Sequence, residues 1–335
     1  MRRSWLVLLA LLLPGLSARA EDSPDWQAVI AAAKQEGKVV FYTSAVGEPY
    51  HEEIGRAFEA RYGIRLEALT ARASELRERI RSEQAAGRLN GDLSFNGATT
   101  TKLQLDEGVF LPHGPLPNIG RLRPPFSDDG TRLPILVQAY GILVNTRLVK
   151  AEDEPRSWLD LADPRWRGRI LSDDMRALGG GAVFFFTTEE KFGRGYHEKL
   201  AQQQLIFGRD YRNDERRVAR GEAAIAVPFV ISDLPSLKGL PVKLVVPEEG
   251  APYIRFELCL LKGAPHPNAA RLFMNFYLEE AAQLVYARSG FAVTTAGIAD
   301  KVPDDVRPLV EVKLLGTTDP ARMVDMLALA KEIYK

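Results

Sequence analysis

The stretch that most constrains this chain is Leu133 to Thr146, LPILVQAYGILVNT, which carries no charge and is rich in Ile, Leu and Val. Bounded by Pro134 on one side and Asn145/Thr146 on the other, it reads as a buried strand. It is long for a strand that ends in a turn, and Tyr140-Gly141 interrupts it at its middle. Gly tolerates backbone angles closed to other residues, and an aromatic beside it can face a cleft, so the segment predicts a strand that crosses between two α/β lobes. The plainer reading is an ordinary core strand with a glycine bulge.

The N-terminus is the most specific local signal. Arg2 and Arg3 precede the apolar run Trp5 to Leu13, and Ala18-Arg19-Ala20 follows, the three parts of a secretory signal peptide. Cleavage after Ala20 is expected, because the apolar run is far shorter than the roughly 20 residues that span a bilayer. With no Cys directly after that point, no lipid attachment is expected. Removing residues 1–20 takes Arg2, Arg3 and Arg19 and no acid from a chain with 44 basic and 44 acidic residues, leaving a net charge of −3. Such a balance is not built to hold nucleic acid, which demands a clustered basic face. The single cysteine, Cys259, cannot form an internal disulfide and is expected in the core. With 335 residues and 46% hydrophobic composition the chain is long enough for about two domains and has ample apolar residues for a packed core.

Along the chain, strands alternate with helices. Ser23-Pro24 is an N-cap followed by Pro, and Trp26, Val29, Ile30 and Ala33 recur at helical spacing up to Gly37. KVVFYTS, IRLEAL and DLSFN (residues 38–44, 64–69 and 92–96) are strands, each leading into a helix. Ser74 is the expected cap of the helix carrying Leu76 and Ile80, and the run 99–101 opens another. A helix is expected from Pro49, a long one over 191–203, another over 267–288 and a last one over 319–334. This alternation implies a largely parallel sheet, in which ligands sit beyond the carboxyl ends of the strands. The region 111–132, rich in Pro and Gly, passes over the surface.

Enzyme chemistry is not expected. The sequence lacks a G-x-S-x-G elbow, a phosphate loop ending in Gly-Lys-Ser/Thr and a G-x-G-x-x-G after a strand. His51-Glu52-Glu53 begins like a zinc-protease helix, but Gly55 stands where the second His belongs, and His51, His113, His197 and His266 are not paired at ligand spacing. Neither a metal nor another cofactor is therefore expected. Asp173-Asp174 could serve as paired acids, but neighbouring side chains on a strand point in opposite directions.

Four segments in order, WQAVIAAAKQEGKVVFYTS, LVNTRLVKAEDEPRSWLDLADPRWRGRI, RVARGEAAIAV and LLKGAPHPNAARLFMNFYLEEAAQLVYA, resemble the periplasmic solute-binding proteins of ABC importers, in the type II branch that includes the ferric-ion-binding proteins. The resemblance spans nearly the whole mature chain. It implies an α/β fold of two lobes, each discontinuous in sequence, joined by two crossing strands and closing on a ligand like a flytrap. The lobes are expected at 21–138 plus 251–300 and at 139–250 plus 301–335. It also implies a monomer in the periplasm that delivers its solute to an inner-membrane permease. The iron binders carry adjacent tyrosines just after the strand matching Ala223 to Val227, where this chain has Pro228-Phe229-Val230-Ile231-Ser232, and commonly a His in the first loop, where it has Ser44-Ala45-Val46. Ferric ion wants anionic oxygen donors, which an apolar segment does not supply.

At the positions matching the cleft stand Ser44, Arg72, Ser74, Asn96, Thr99, Tyr140, Asp173, Arg176, Arg209, Phe229, Tyr253 and Arg255. Arg binds carboxylate or phosphate bidentately, and helix starts offer backbone N–H groups to anions. The expected solute is a small organic anion: a carboxylate, a phosphonate or a sugar phosphate. Arg176 and Arg255 are the leading candidates, the second because it lies within an apolar strand where an unpaired charge is costly. Tyr140, Phe229 and Tyr253 are either core aromatics or cleft walls. Three alternatives stand beside this one: ferric ion held with a synergistic anion; a cationic or neutral ligand on the aromatics and Asp173/Asp174; and a binding module that docks on a sensor instead of a permease.

Overall fold

The computed structural model describes residues 23–44, 50–208 and 210–335. The expected leader, the loop 45–49 with its expected helix start at Pro49, and Arg209 lie outside the described residues.

The first half of the chain builds β1 (Lys38–Thr43), β2 (Arg65–Thr70), β3 (Leu93–Gly97), β4 (Phe110–Leu111) and β5 (Leu133–Asn145), with α1 (Pro24–Glu36), α2 (Tyr50–Tyr62), α3 (Ala73–Ala85) and α4 (Ala98–Asp106) between them. Then come β6 (Ile170–Asp173), α5 (Gly180–Phe192), α6 (Arg194–Ala201), β7 (Ile206–Gly208), α7 (Tyr211–Arg220), β8 (Ile225–Val230), β9 (Val242–Val245) and β10 (Ala251–Leu261). The chain ends with α8 (Pro267–Tyr277), α9 (Glu280–Arg288), β11 (Ala292–Val293), α10 (Arg307–Val310), β12 (Leu314–Gly316) and α11 (Met323–Ile333).

The strand order β2-β1-β3-β10-β5-β8-β6-β7 is a sheet with its two parallel wings, β2-β1-β3 and β8-β6-β7, joined through the antiparallel pair β10 and β5. β5 is the strand the sequence singled out. Its first part, Leu133 to Ala139, pairs with β10, and from Tyr140 onward it pairs with β8 and β9, so the changeover falls beside Gly141. Gly141 is needed there for space, because a Cβ would come within 2.6 Å of the Leu244 side chain and 3.0 Å of the Val245 carbonyl. Its φ is not in the left-handed region, so the backbone freedom expected of it is not what the fold uses.

Each wing has its own core. Phe41, Ile54, Phe58, Phe95, Leu258, Phe273 and Tyr286 fill the first, and Trp158, Trp166, Phe184, Phe185, Phe186, Ile225 and Met326 the second. The aromatic triplet of α5 is fully buried because that helix is covered on every side from Gly180 to Thr188, as its near-continuous apolar sequence requires. After α9 the chain touches both cores in turn: Val302 and Val310 pack into the first, and Met326, Ala330 and Tyr334 into the second.

Local signals explain most helix ends. The Ser23 hydroxyl accepts the Trp26 N–H at 3.3 Å and Gly37, at φ 72°, closes α1, as read from the sequence. The expected helix 191–203 is two helices, broken where Gly193 takes φ 78° between α5 and α6. That over 267–288 is also two, and the last starts at Met323 after a short 3₁₀ turn. Ser74 is not the cap of α3: the cap position is Arg72, whose N–H donates to the Glu75 carboxylate at 3.2 Å, leaving Ser74 inside the first turn.

Each core also encloses one histidine between two hydroxyls. His51 lies between Thr43 Oγ1 (3.1 Å) and the Tyr277 hydroxyl (3.0 Å), and His197 between Thr188 Oγ1 (3.0 Å) and the Tyr334 hydroxyl (2.7 Å). Burial pushes both imidazoles down to about 3, opposed at His197 by a hydrogen bond to the backbone of Phe185.

Candidate functional site

Side chains alternate across a strand, so the register of β5 with β10 decides which hinge residues share a face. Tyr253 pairs with Ala139 and Arg255 with Val137. Tyr253, Ala139 and Val137 belong to one cluster with Phe126, Leu309 and Leu314, whereas Tyr140 packs with Ile254, Val183 of α5 and Val230 of β8 on the other face. The starts of α4 and α5 flank that second face: a Cβ on Gly97 would come within 2.9 Å of Ile254 Cδ1, and Val183 touches Tyr140. Tyr140 therefore stands where the two lobes meet, while Tyr253 and Arg255 lie behind the crossing strands.

Tyr140 is only 2% exposed and its hydroxyl accepts from Gln138 Nε2 at 3.0 Å. Burial pushes its phenol well above the ordinary value; the Gln138 hydrogen bond opposes this, and the carboxylates of Asp173 and Asp233 add to the rise. Asp173 ends β6, and its Oδ2 accepts the Gly181 N–H at 2.6 Å, so the positive end of α5 already holds a carboxylate of this chain. Gly181 must be glycine because a Cβ would lie 2.8 Å from the carbonyls of Asp173 and Asp174. Opposite, α4 starts after Gly97 with no side-chain cap, and Thr99 is half-buried in its first turn. Ser44, at the end of β1, donates its N–H to the Phe95 carbonyl at 3.1 Å and is half-buried.

The remaining candidates take other positions. Arg176 is held by Asp174, with Nε to Oδ1 at 2.8 Å and Nη2 to Oδ2 at 3.2 Å, while Nη1 donates to the Tyr334 carbonyl at 3.1 Å and the guanidinium lies 4.5 Å from the Phe207 ring. It pins the C-terminal helix to the second lobe. The neighbouring acids thus face different partners, Asp173 the start of α5 and Asp174 this arginine. Arg255 is paired with Glu257 of its own strand face, with Nε and Nη2 on Oε1 at 2.7 and 2.5 Å. Phe229 is 1% exposed in a core with Leu143, Leu171, Val218 and Leu237, so it does not wall the cleft. Tyr253 packs edge-on to Phe126 at 6.3 Å. Asn96 is fully buried under α4, its Nδ2 on Ser94 Oγ at 2.8 Å. Arg72 and Ser74 are exposed at the start of α3.

Two residues of the front face, Gln138 and Asp233, were not singled out from the sequence. Gln138 is the one polar side chain between Pro134 and Ala139 in β5, and Asp233 lies three residues past the end of β8, both signals the chain did contain. Among the described residues no group of three or more His, Cys, Asp and Glu is spaced to hold a metal ion, and no helix is long and apolar enough to cross a membrane.

Comparison with known proteins places this geometry. The family described as "Bacterial extracellular solute-binding protein" matches residues 97–310. The chain is 25% identical over 295 residues to Iron uptake protein A1 of Synechocystis, covering 81% of this chain and 79% of that protein. Among solved structures it is similar to the Trichodesmium protein IdiA (FutA) in complex with iron and citrate, at 17% identity, 89% and 100% coverage and a TM-score of 0.76. It is similar too to the spermidine/putrescine-binding protein PotD of Streptococcus pneumoniae, at 17% identity, 89% and 100% coverage and a TM-score of 0.70.

Proposed function

The chain belongs to the bacterial extracellular solute-binding protein family, and on that premise we propose that it captures a small dipolar organic anion in the periplasm and delivers it to an ABC permease. The family is one of transport-binding proteins, not of enzymes, and the fold is that of the two-lobed type II periplasmic binding proteins. The lobe division we propose joins 21–138 to 251–300, and 139–250 to the C-terminal helix, with the segment around β12 running along the hinge. We also propose that the leader is cleaved after Ala20 and that the protein acts as a monomer.

The observation that carries the ligand class is the unlike lining of the front face. On the first lobe stand the uncapped start of α4 with Thr99, and Ser44, a wall suited to a carboxylate or phosphonate. On the second, Tyr140 lies within reach of the charges of Asp173 and Asp233, and Asp173 already occupies the start of α5. A solute with an amino group at its other end would find oxygen acceptors there, in addition to the contacts those two aspartates already make within the chain. Contacts with both lobes are also what closure requires, since a ligand shifts the open–closed equilibrium only by its differential affinity.

The test is thermal-shift screening of the mature protein, freed of bound solute by unfolding and refolding, against amino-carboxylates, amino-phosphonates, simple acids, polyamines and ferric citrate. A ligand at about 100 times its Kd adds roughly 2.7 kcal/mol, a shift of several degrees. Amino-acid-like compounds are expected to shift the midpoint, while acids and amines of the same length do not. A response to simple acids or to polyamines alone would overturn the dipolar reading. The relatives that bind iron favour a second reading, ferric ion with a synergistic anion on Tyr140 and the two aspartates; a visible charge-transfer band on adding ferric citrate would establish it.

A further inference from the structure

β5 forms the floor of the front face, and one of its residues is open. Of the thirteen from Leu133 to Asn145, all are buried except Gln138. Gln138 and Tyr140 are two apart, so their side chains leave the same face of the strand. They also stand on either side of the point where β5 changes partners: Gln138 pairs with Ile254 of β10, and Tyr140 with Val230 of β8. Ile254 packs with Tyr140, Val183 and Val230, and a Cβ on Gly97 would reach it at 2.9 Å, so the uncapped start of α4 closes in from one side. From the other side Tyr140 feels the charges of Asp173 and Asp233. The Gln138 amide thus lies between the two walls, on the part of the floor that a solute touching both would cover.

An amide among apolar neighbours is costly to cover unless its hydrogen bonds are made. Gln138 has two N–H groups and an oxygen to satisfy. Among the described residues its side chain is bonded to the Tyr140 hydroxyl alone, at 3.0 Å. That hydroxyl can donate or accept, so the amide can be turned over and keep the bond. With Nε2 on the phenol, the second N–H and the oxygen are left over; turned, both N–H groups and one lone pair of the oxygen are left. Either way the amide offers a donor and an acceptor side by side. Among the described residues this side chain holds no backbone group, caps no helix and joins no ion pair, so the fold does not use what remains.

We propose that Gln138 is the specificity-determining residue of the cleft and selects solutes that carry a hydroxyl group between their anionic and amino ends. A hydroxyl both donates and accepts, so it matches the amide in either orientation. A plain methylene in its place covers the amide and leaves it without partners, which makes such a site reject the unhydroxylated analogue. Because Gln138 is only half-buried, the discrimination expected is about tenfold, well below that of a sealed site. The inference rests on the dipolar reading of the two walls and adds what the solute carries in its middle.

The experiment is calorimetry on the solute-free mature protein with matched pairs of two lengths: β-alanine against isoserine, and γ-aminobutyrate against its β-hydroxy derivative. Wild type is expected to bind the hydroxylated member of a pair about tenfold more tightly. Gln138→Met keeps the length and much of the volume of the side chain among the same apolar neighbours, so it is expected to fold. In this variant the ratio should fall below about twofold, chiefly through weaker binding of the hydroxylated member. A side chain with only a structural role would weaken both members alike and leave the ratio unchanged. Equal affinities within each pair in wild type, or a ratio that survives in Gln138→Met, would overturn the inference while the dipolar reading stands. Failure of every amino-acid-like compound, with a response to simple acids or polyamines instead, would overturn that reading and the inference with it.

Discussion

Lowering the pH from 7 to 5 should destabilise this protein through its two enclosed histidines, and the size of the effect can be worked from their surroundings. Hydrogen bonding does not decide the matter: the side-chain neighbours of His51 and of His197 are hydroxyls, which can donate to a neutral ring or accept from a charged one, and the contact of His197 with the Phe185 backbone is outweighed. Burial does decide it, holding each native imidazole at about 3 against an ordinary 6.5. Between those values the unfolded chain binds a proton at each histidine that the native protein does not. The stabilising contribution is therefore complete above 6.5, declines as pH falls, and is exhausted near 3. At pH 5 the loss is about 2 kcal/mol per histidine, about 4 kcal/mol for the pair, against a total stability of order 5–15 kcal/mol. Urea unfolding of the solute-free protein at pH 5, 6, 7 and 8 measures it. His51→Gln and His197→Gln should each lower the pH 7 stability but remove about one proton's worth of slope between pH 6 and pH 5, roughly 1.4 kcal/mol per pH unit. If either single variant kept the wild-type slope, that histidine would not be titrating in the unfolded chain alone, and the burial argument would fail for it.

Three further outcomes follow from particular contacts. Arg176→Ala leaves Asp174, 5% exposed, without its guanidinium and frees the Tyr334 carbonyl, so it should cost about 2–3 kcal/mol in chemical denaturation while solute affinity changes by less than about twofold. Tyr140→Phe removes one hydroxyl from the front face with little change of packing; affinity measured by calorimetry should fall about tenfold and thermal stability should hardly move. Gly181→Ala drives a Cβ against backbone that cannot swing aside and should cost about 1–3 kcal/mol while misplacing Asp173, read together as a lower midpoint and weaker binding.

How far the sequence carried can be seen at the hinge. The crossing strand was legible because an uncharged run of that length has few other places to go, and β5 occupies Leu133–Asn145 almost as expected. α1 was legible because its cap and stop residues act within a few positions of themselves. Helices read as continuous over 191–203 and 267–288 were broken, the first by Gly193, whose left-handed backbone a helical apolar pattern does not reveal. The cleft was harder, since which aromatic faces it depends on the register of two strands more than a hundred residues apart. One slip in the pairing of Tyr253 with Ala139 would put Tyr253 on the same face as Tyr140.

The arginines teach a sharper lesson. Arg255 and Glu257 stand two apart on a strand, where residues two apart share a face, and Arg176 and Asp174 stand two apart in the turn after β6, where the Arg176 N–H also donates to Asp174. Opposite charges at that spacing can satisfy each other without any ligand, so an arginine in an apolar strand signals a ligand only after its i±2 neighbours have been excluded as partners. The Arg255 guanidinium spends both contacts on one oxygen of Glu257, so the charge whose burial first suggested a ligand is met within its own strand. On the proposed reading, solutes are distinguished by a helix start without a side-chain cap on one wall, and on the other by Asp173 and Asp233, each already engaged within the chain, around a buried phenol.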